Sequence, residues 1–412
     1  MLSDGGPGLL DGVRVVSFNH FLLGPHAMQT LGDLGADVIA IEPLGGAFQR
    51  QWGGADKRID GQTTLFLCAN RNKRSLALDL KSEEGREIAW KLIARADVVS
   101  ENFRAGVMEK LGFGYDAMKV INPAVIFASA SGFGPDGPHA KRPGQDLLIQ
   151  AMSGLAAITA NKQDGARALG CALVDVHAGS LLATGILAAL VRRGRTGEGC
   201  RVDVNLLSAA IDLQSESFTT YLNGPRPEDV RPPRCIAGWY YPGPYGIYAT
   251  ADGHLAISFS NHEHLADALS VPELATIPND DGYARREEIA SLIAPVLETR
   301  NTEAWLDAFD GRDIWCAPVN DYEDVLRDPQ IRHNRCFETI AGATGTPITI
   351  VGHPIRYDGE TPGVRLAPQP VGAQTDEVLR EIGYGSEAIA RLEADGVIGL
   401  HRPAVERPSS DA

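Results

Sequence analysis

With 412 residues, 44% of them hydrophobic and 22% charged, the chain has the length of two or three domains and the composition of a globular protein. A formal net charge of −15 argues against a general nucleic-acid binder, yet a local cationic cluster can still hold an anionic ligand. Six cysteines stand singly without a CxxC pair, and no secretory pattern is read before the first strand, so a cytoplasmic protein with reduced thiols is expected.

Residues 13–18 read as a buried strand, Met28, Leu31 and Leu34 fall at helical spacing, and residues 37–42 read as a second strand. This β-α-β unit predicts a parallel sheet with a right-handed crossover. A helix near 83–95, a strand at 97–100, a helix near 105–111 and a strand at 124–129 continue the alternation. The first two hundred residues are therefore expected to be doubly wound α/β. Residues 172–191 are apolar over about the length of a membrane span. Asp175 and His177 near one end favour a buried helix instead, because a charge in lipid is costly.

Asn223-Gly-Pro-Arg-Pro and Arg231-Pro-Pro mark a linker. Residues 246–258 read as two strands joined at Ala251-Asp-Gly253, followed by helical patterns to about 327. A Pro/Gly-rich stretch at 342–370, an amphipathic helix near 375–383 and a disordered tail at 402–412 complete the expectation.

Glu42 ends the second strand, where a dinucleotide fold places an acid on the ribose. The loop Asn19-His-Phe-Leu-Leu-Gly-Pro25 has one glycine, however, rather than the three needed for close approach to a pyrophosphate. His262-Glu-His264 lacks a third ligand at suitable spacing and is expected on a solvated rim, so no metal site is expected. Arg71-Asn-Lys-Arg74 and Glu101-Asn-Phe-Arg104 put cations and an aromatic near strand ends, suited to phosphates and a purine or to a solvated edge. The aromatic segment Trp239 to Tyr248 fits an acyl pocket or a domain core. Asp175, in Gly170-Cys-Ala-Leu-Val-Asp-Val-His-Ala-Gly179, stands at the mouth of the apolar helix. It is either a helix cap or a carboxylate facing a ligand, with Ala178 and Gly179 leaving room beside it.

Taken in order, several segments resemble the class III CoA-transferases, the CaiB–BaiF family. They are Leu10-Asp-Gly-Val-Arg-Val, Leu34-Gly-Ala-Asp-Val-Ile, Asn72-Lys-Arg-Ser-Leu-Ala-Leu-Asp-Leu-Lys81, Glu101-Asn-Phe-Arg104, Ser131-Gly-Phe-Gly-Pro, Gln150-Ala-Met-Ser-Gly-Leu155 and the Asp175 segment. The resemblance runs from about residue 9 to 385. It implies a large doubly wound, Rossmann-like α/β domain built from residues 1–224 and 342–412. A smaller α+β domain, 225–341, is inserted, and two chains interlock as a homodimer.

The resemblance also implies roles. Asp175 matches the catalytic aspartate, and His20, Leu22 and Leu23 match the loop lining the CoA thiol arm. Leu78, Asp79, Leu80 and Lys81 match an adenine-side strand, and Asn102, Phe103 and Arg104 a CoA-contacting turn. Lys110 falls where a cation meets the nucleotide phosphates, and Arg142, Pro143, Gly144 and Gln145 match a pantetheine-side segment. The implied partners are acyl-CoA and a carboxylic acid, such as a small dicarboxylate, with no permanently bound cofactor, nucleic acid or membrane. Transfer would run through an aspartyl anhydride and an aspartyl-CoA thioester, and an ordinary carboxylate pKa of about 4 would make a general base unnecessary.

Some positions depart from the family's branches. Leu22 and Pro43 replace a glutamine and an arginine of the formyl-CoA:oxalate branch, and no run of four glycines occurs. Gly144-Gln145-Asp146 stands where the α-methylacyl-CoA racemases carry Gly-His-Asp, and glutamine cannot serve as a base. A racemase, an NAD-dependent oxidoreductase and a catalytically silent CoA-binding protein are the alternative readings.

Overall fold

The structure, a computed structural model, describes residues 8–224 and 230–402. Positions 225–229 of the expected linker and 403–412 of the expected tail lie outside the described residues. The chain divides into two compact units. The first holds the described residues up to 146, 173–209 and those from 334 onward; the second holds 147–172 and 210–333.

The first unit is organised by a seven-stranded sheet. Its strands are β1 (Arg14–Phe18), β2 (Asp37–Glu42), β3 (Lys73–Leu78), β4 (Val98–Glu101), β5 (Ile126–Ser131), β6 (Arg201–Asn205) and β7 (Ile398–Gly399). They lie in the order β7-β3-β2-β1-β4-β5-β6 and are parallel except for β7, which runs antiparallel to β3. The central strands are apolar runs because both faces are covered: Val15, Val16, Ile39, Val98 and Val99 are all buried. Strand order reverses between β1 and β4, which opens a crevice beyond their carboxyl ends, where α/β sheets bind ligands.

Five helices of this unit matter below: α1 (Leu23–Asp33), α2 (Glu83–Ile93), α3 (Leu173–Thr196), α4 (Thr375–Glu381) and α5 (Ser386–Ala394). Ser82 starts α2 as a cap, its hydroxyl accepting the Gly85 N–H at 3.0 Å, and Glu83 and Glu84 follow in the first turn. Ile88 and Leu92, one turn apart, then enter the core with Leu76, Leu78 and Phe127. Val378, Leu379, Ile389 and Leu392 of α4 and α5 join the same core, so residues far along the chain complete the first sheet's packing. α3 is the one helix among the described residues long and apolar enough to cross a membrane by length and composition. It buries Val174, Ala178, Leu182 and Ile186.

In the second unit, Gly246–Ala249 and His254–Ile257 pair as the expected hairpin, and Cys316–Pro318 adds a third antiparallel strand. Tyr248, Trp305 and Phe309 are buried in its core, so Tyr248 of the aromatic segment is a packing residue.

Several expectations shift. The helix near 105–111 is only Val107–Lys110, and β3 ends at Leu78, so Asp79 to Lys81 lie beyond the strand. The Pro/Gly-rich stretch contains a strand, Pro347–Val351, paired with Phe337–Ala341. The expected boundaries at 225 and 341 also move. Gln214 Nε2 donates to Ser153 O at 3.2 Å, Lys162 N to Pro232 O at 3.0 Å and Trp239 Nε1 to Ala160 O at 3.2 Å. These bonds draw 147–172 and 210–224 into the second unit, a packing that proline breaks in the sequence do not mark.

Candidate active site

Asp175 is the third residue of α3. The capping role is taken by another acid: Asp146 Oδ2 accepts the backbone N–H groups of Val174 at 2.8 Å and Asp175 at 3.0 Å. The Asp175 carboxyl group is thereby left for other work. Burial, followed by the negative charge of Asp146, pushes it up to about 7, and no donor among the described residues offsets them. The ordinary carboxylate pKa expected from sequence therefore does not hold.

One turn along α3 stands Gly179. A Cβ there would lie 2.8 Å from the Leu23 carbonyl oxygen and 3.0 Å from His26 Cδ2, so the missing side chain lets α3 lie against the first turn of α1. Each of these helices feeds a strand of a parallel sheet, so both begin at the carboxyl edge. Asp175, one turn before the contact, is thus carried past the start of α1. No side chain caps α1, and the N–H groups of Leu23 and Gly24 lie at its positive end, where negative charge is favoured, while Pro25 contributes none.

The loop between β1 and α1 is fastened to β4. Asn19 Nδ2 donates to the Ser17 and Ser100 hydroxyls, each at 3.0 Å. The Asn102 side chain accepts the His20 N–H and donates to the His20 carbonyl, both at 2.8 Å, adding a rung to the β1–β4 ladder with a side-chain amide. The His20 ring lies 5.2 Å from Phe103 and 4.9 Å from Phe21, and burial holds it neutral by lowering its pKa to about 4. Phe21 has a left-handed backbone, φ 58°, and Gln49 Oε1 accepts its N–H at 3.0 Å. On the other side, a Cβ on Gly132 would lie 2.6 Å from Gly144 Cα, a backbone contact that sets residues 142–145 against the end of β5. Asp146, the cap of α3, follows directly.

Across residues 10–375 the chain matches the family described as CoA-transferase family III. It belongs to that family, and is an enzyme of it. It is 32% identical over 401 residues to the succinyl-CoA:glutarate CoA-transferase of Mus musculus, covering 95% of this chain and 91% of the relative. It is 35% identical over 407 residues to the succinyl-CoA:mesaconate CoA-transferase of Haloarcula hispanica, with 94% and 100% covered. Among solved structures, a CAIB/BAIF family protein from Brucella suis superposes with a TM-score of 0.79 at 30% identity, covering 92% of this chain and 100% of its own.

Within this CoA-transferase the structure brings His20, Asn102 and Phe103 into contact, and sets Leu23 against Gly179. Leu22 directly precedes α1. Arg104, Lys110 and residues 142–145 are exposed. Leu78, by contrast, is buried in the core, Leu80 packs against that core, and Asp79 accepts the Lys81 N–H at 3.0 Å. β2 and β1 separate this edge from β4.

Other candidates are committed elsewhere. Arg71 forks onto Asp33, with Nη2 to Oδ2 at 2.7 Å. Arg74 binds Asp37 at 2.7 Å and Glu381 at 2.6 Å. The buried Lys73 ammonium donates to Pro25 O, Ala69 O and Asn70 Oδ1 at 2.7, 2.6 and 3.0 Å. This segment is therefore internal scaffolding rather than a solvated edge or a phosphate site. Glu42 holds Arg50, with Nη2 to Oε1 at 2.6 Å, and accepts the Ser75 hydroxyl at 2.8 Å, so it is not free for a ribose. His262 is buried on the helix His262–Leu269, its Nδ1 2.9 Å from Ile277 O, and not on a rim. Among the described residues, no group of three or more His, Cys, Asp or Glu is placed to hold a metal.

No sequence signal marks the roles of Asp146 and Glu101. Asp146 lies 29 residues before the amide it caps, beyond any local capping pattern. Glu101 lies inside the Glu-Asn-Phe-Arg segment, but only the fold shows it buried, with its pKa raised to about 7 mainly by that burial.

Proposed function

We propose that this enzyme moves CoA from an acyl-CoA donor to a carboxylic acid, with Asp175 as nucleophile. The observation that carries the reading is the uncommitted carboxyl group of Asp175, set at the mouth of α3 while Asp146 holds the cap. Ionised Asp175 attacks the thioester carbonyl, the C–S bond breaks, and an aspartyl–acyl anhydride and CoA thiolate form. The thiolate attacks the aspartyl carbonyl, giving an aspartyl-CoA thioester and freeing the donor acid. The acceptor carboxylate attacks that thioester, and the returning thiolate takes the new acyl group and restores the Asp175 carboxylate. No net proton moves. The Leu23 and Gly24 amides at the start of α1 supply preorganised dipoles for the oxyanions.

A carboxylate raised to about 7 is more nucleophilic once ionised than an ordinary one, although only part of it is ionised at neutral pH. On this reading His20, Leu22 and Leu23 line the thiol arm, and Arg142, Pro143, Gly144 and Gln145 flank the pantetheine. Asn102, Phe103, Arg104 and Lys110 face the nucleotide, with Leu78 to Lys81 on the adenine side. The names of the relatives support succinyl-CoA as donor and a small dicarboxylate, of the glutarate or mesaconate kind, as acceptor.

The domain from both chain ends, the insertion, the interlocked homodimer and a cytoplasmic location complete the proposal. The dimer is supported by exposed apolar side chains along α3, Val176 and Val191 among them, which a partner would cover. The test is to incubate the enzyme with succinyl-CoA and a panel of dicarboxylic acids and read the products by mass spectrometry. A new dicarboxyl-CoA with one succinate released per transfer is expected, whereas hydrolysis alone or no exchange would refute the reading.

A further inference from the structure

We propose that Glu101 is the positioning residue of the coenzyme-binding turn, a role that rests on the CoA-transfer reading above. It ends β4 and is 6% exposed. Its neighbours Ser100 and Asn102 bond toward β1, where they hold Asn19 and His20. Glu101 bonds the other way and forward. Oε1 accepts the hydroxyl of Ser129, its register partner on β5. Oε2 accepts the N–H of Phe103 at 2.8 Å, closing the chain over Asn102.

One carboxyl group thus fixes the backbone on both sides of Asn102, whose amide clamps the His20 loop. It also sets Phe103, whose ring lies 5.2 Å from that of His20, and the start of the exposed Arg104. The arrangement is expensive. Among the described residues no cation forms an ion pair with Glu101, and the distant charges of Glu109 and Arg201 act in opposite senses. A buried acid without a counter-ion costs stability unless hydrogen bonds compensate it. The two acceptors meet a backbone donor at the turn and a hydroxyl on the next strand, which a leucine of similar size would leave unpaired.

Glutamine can replace both bonds, accepting from Phe103 N and donating to the Ser129 hydroxyl, whereas alanine leaves both groups unmet. The experiment is titration of the full chain with CoA by calorimetry, together with transfer kinetics, for wild type, Glu101→Ala, Glu101→Gln and Ser129→Ala. Glu101→Ala should raise the CoA Kd and the acyl-CoA KM by about tenfold or more while kcat changes by less than about threefold. Glu101→Gln should stay within about threefold of wild-type affinity, and Ser129→Ala, which loses one anchor, should fall between the two. If Glu101→Ala does not fold, the Ser129→Ala comparison decides: unchanged affinity overturns the role. Wild-type affinity in Glu101→Ala, or equal losses in the alanine and glutamine variants, also overturns it. A wild-type chain that binds no CoA would instead overturn the transfer reading, and this role with it.

Discussion

Asp146 Oδ2 accepts the backbone N–H of Asp175 at 3.0 Å. Two acids thereby share one helix mouth with different tasks. Asp146 satisfies the free amides of α3, and its charge, added to burial, helps keep the neighbouring Asp175 proton bound to near neutral pH.

Replacing Asp146 by Asn tests that division. The amide oxygen can still cap α3, but the like charge is gone, so the pKa of Asp175 should fall. Because ionised Asp175 is the reactive form, the acid limb of kcat/KM should move to lower pH, by up to about one unit since burial is the larger cause. A pH–rate profile from 5 to 8.5 reads this directly. An unmoved limb would show that the two acids are not coupled.

Asp175 itself should carry a stability penalty. Its folded pKa, about 7, lies above the ordinary carboxylate value, so the folded chain holds the proton more tightly than the unfolded one. That contribution is full below pH ~4 and is lost as pH rises through about 7. Asp175→Asn escapes the loss. Its ligand-free form should match wild type in calorimetry at pH 4 and exceed it at pH 8, by on the order of 1–3 kcal/mol. A difference independent of pH would count against the shifted carboxyl group.

Gly179 sets the approach of α3 to α1. In Gly179→Val a Cβ would meet the Leu23 carbonyl at 2.8 Å, and backbone cannot swing aside as a side-chain tip can. Destabilisation of about 1–3 kcal/mol is expected from the overpacking. Because the clash meets Leu23 of the thiol-arm loop as well as displacing Asp175, while Asn102 and Phe103 stay in place, kcat should fall by more than about tenfold and the CoA Kd should rise by less than that. Equal losses in kcat and affinity would mean that the helix contact does not govern the nucleophile alone.

How much of this was legible beforehand follows from where the partners lie in the chain. β2 is a run of apolar residues between a glycine-rich turn and a proline, and its bounds follow from that pattern. Asp175 stands out because small residues and an apolar helix follow it, yet capping and catalysis predict the same local sequence. Only the fold brings in Asp146. Arg71 and Arg74 look like part of a phosphate patch in one dimension because their acceptors, Asp33, Asp37 and Glu381, are scattered from position 33 to 381. β7 has two residues, too few to carry a period.

Arg104 and Lys110 are exposed cations without an ion pair among the described residues. If they meet the nucleotide phosphates, Arg104→Ala and Lys110→Ala should each weaken CoA binding by about 1–3 kcal/mol. The loss should be larger at low ionic strength, where exposed charges are less screened. Calorimetric titrations at two salt concentrations measure both effects. Unchanged affinity in both variants would place the nucleotide elsewhere.

The central claim is that Asp175 carries the acyl group and CoA in turn, and a nucleophile leaves a covalent trace. Wild-type enzyme incubated with succinyl-CoA and no acceptor, then quenched with hydroxylamine, should show one peptide converted to a hydroxamate at Asp175, read by mass spectrometry. Asp175→Asn, with the α3 cap still held by Asp146, should fold and bind CoA, form no adduct, and transfer CoA slower by several orders of magnitude. Transfer near the wild-type rate in Asp175→Asn, with no adduct on the parent enzyme, would contradict the account.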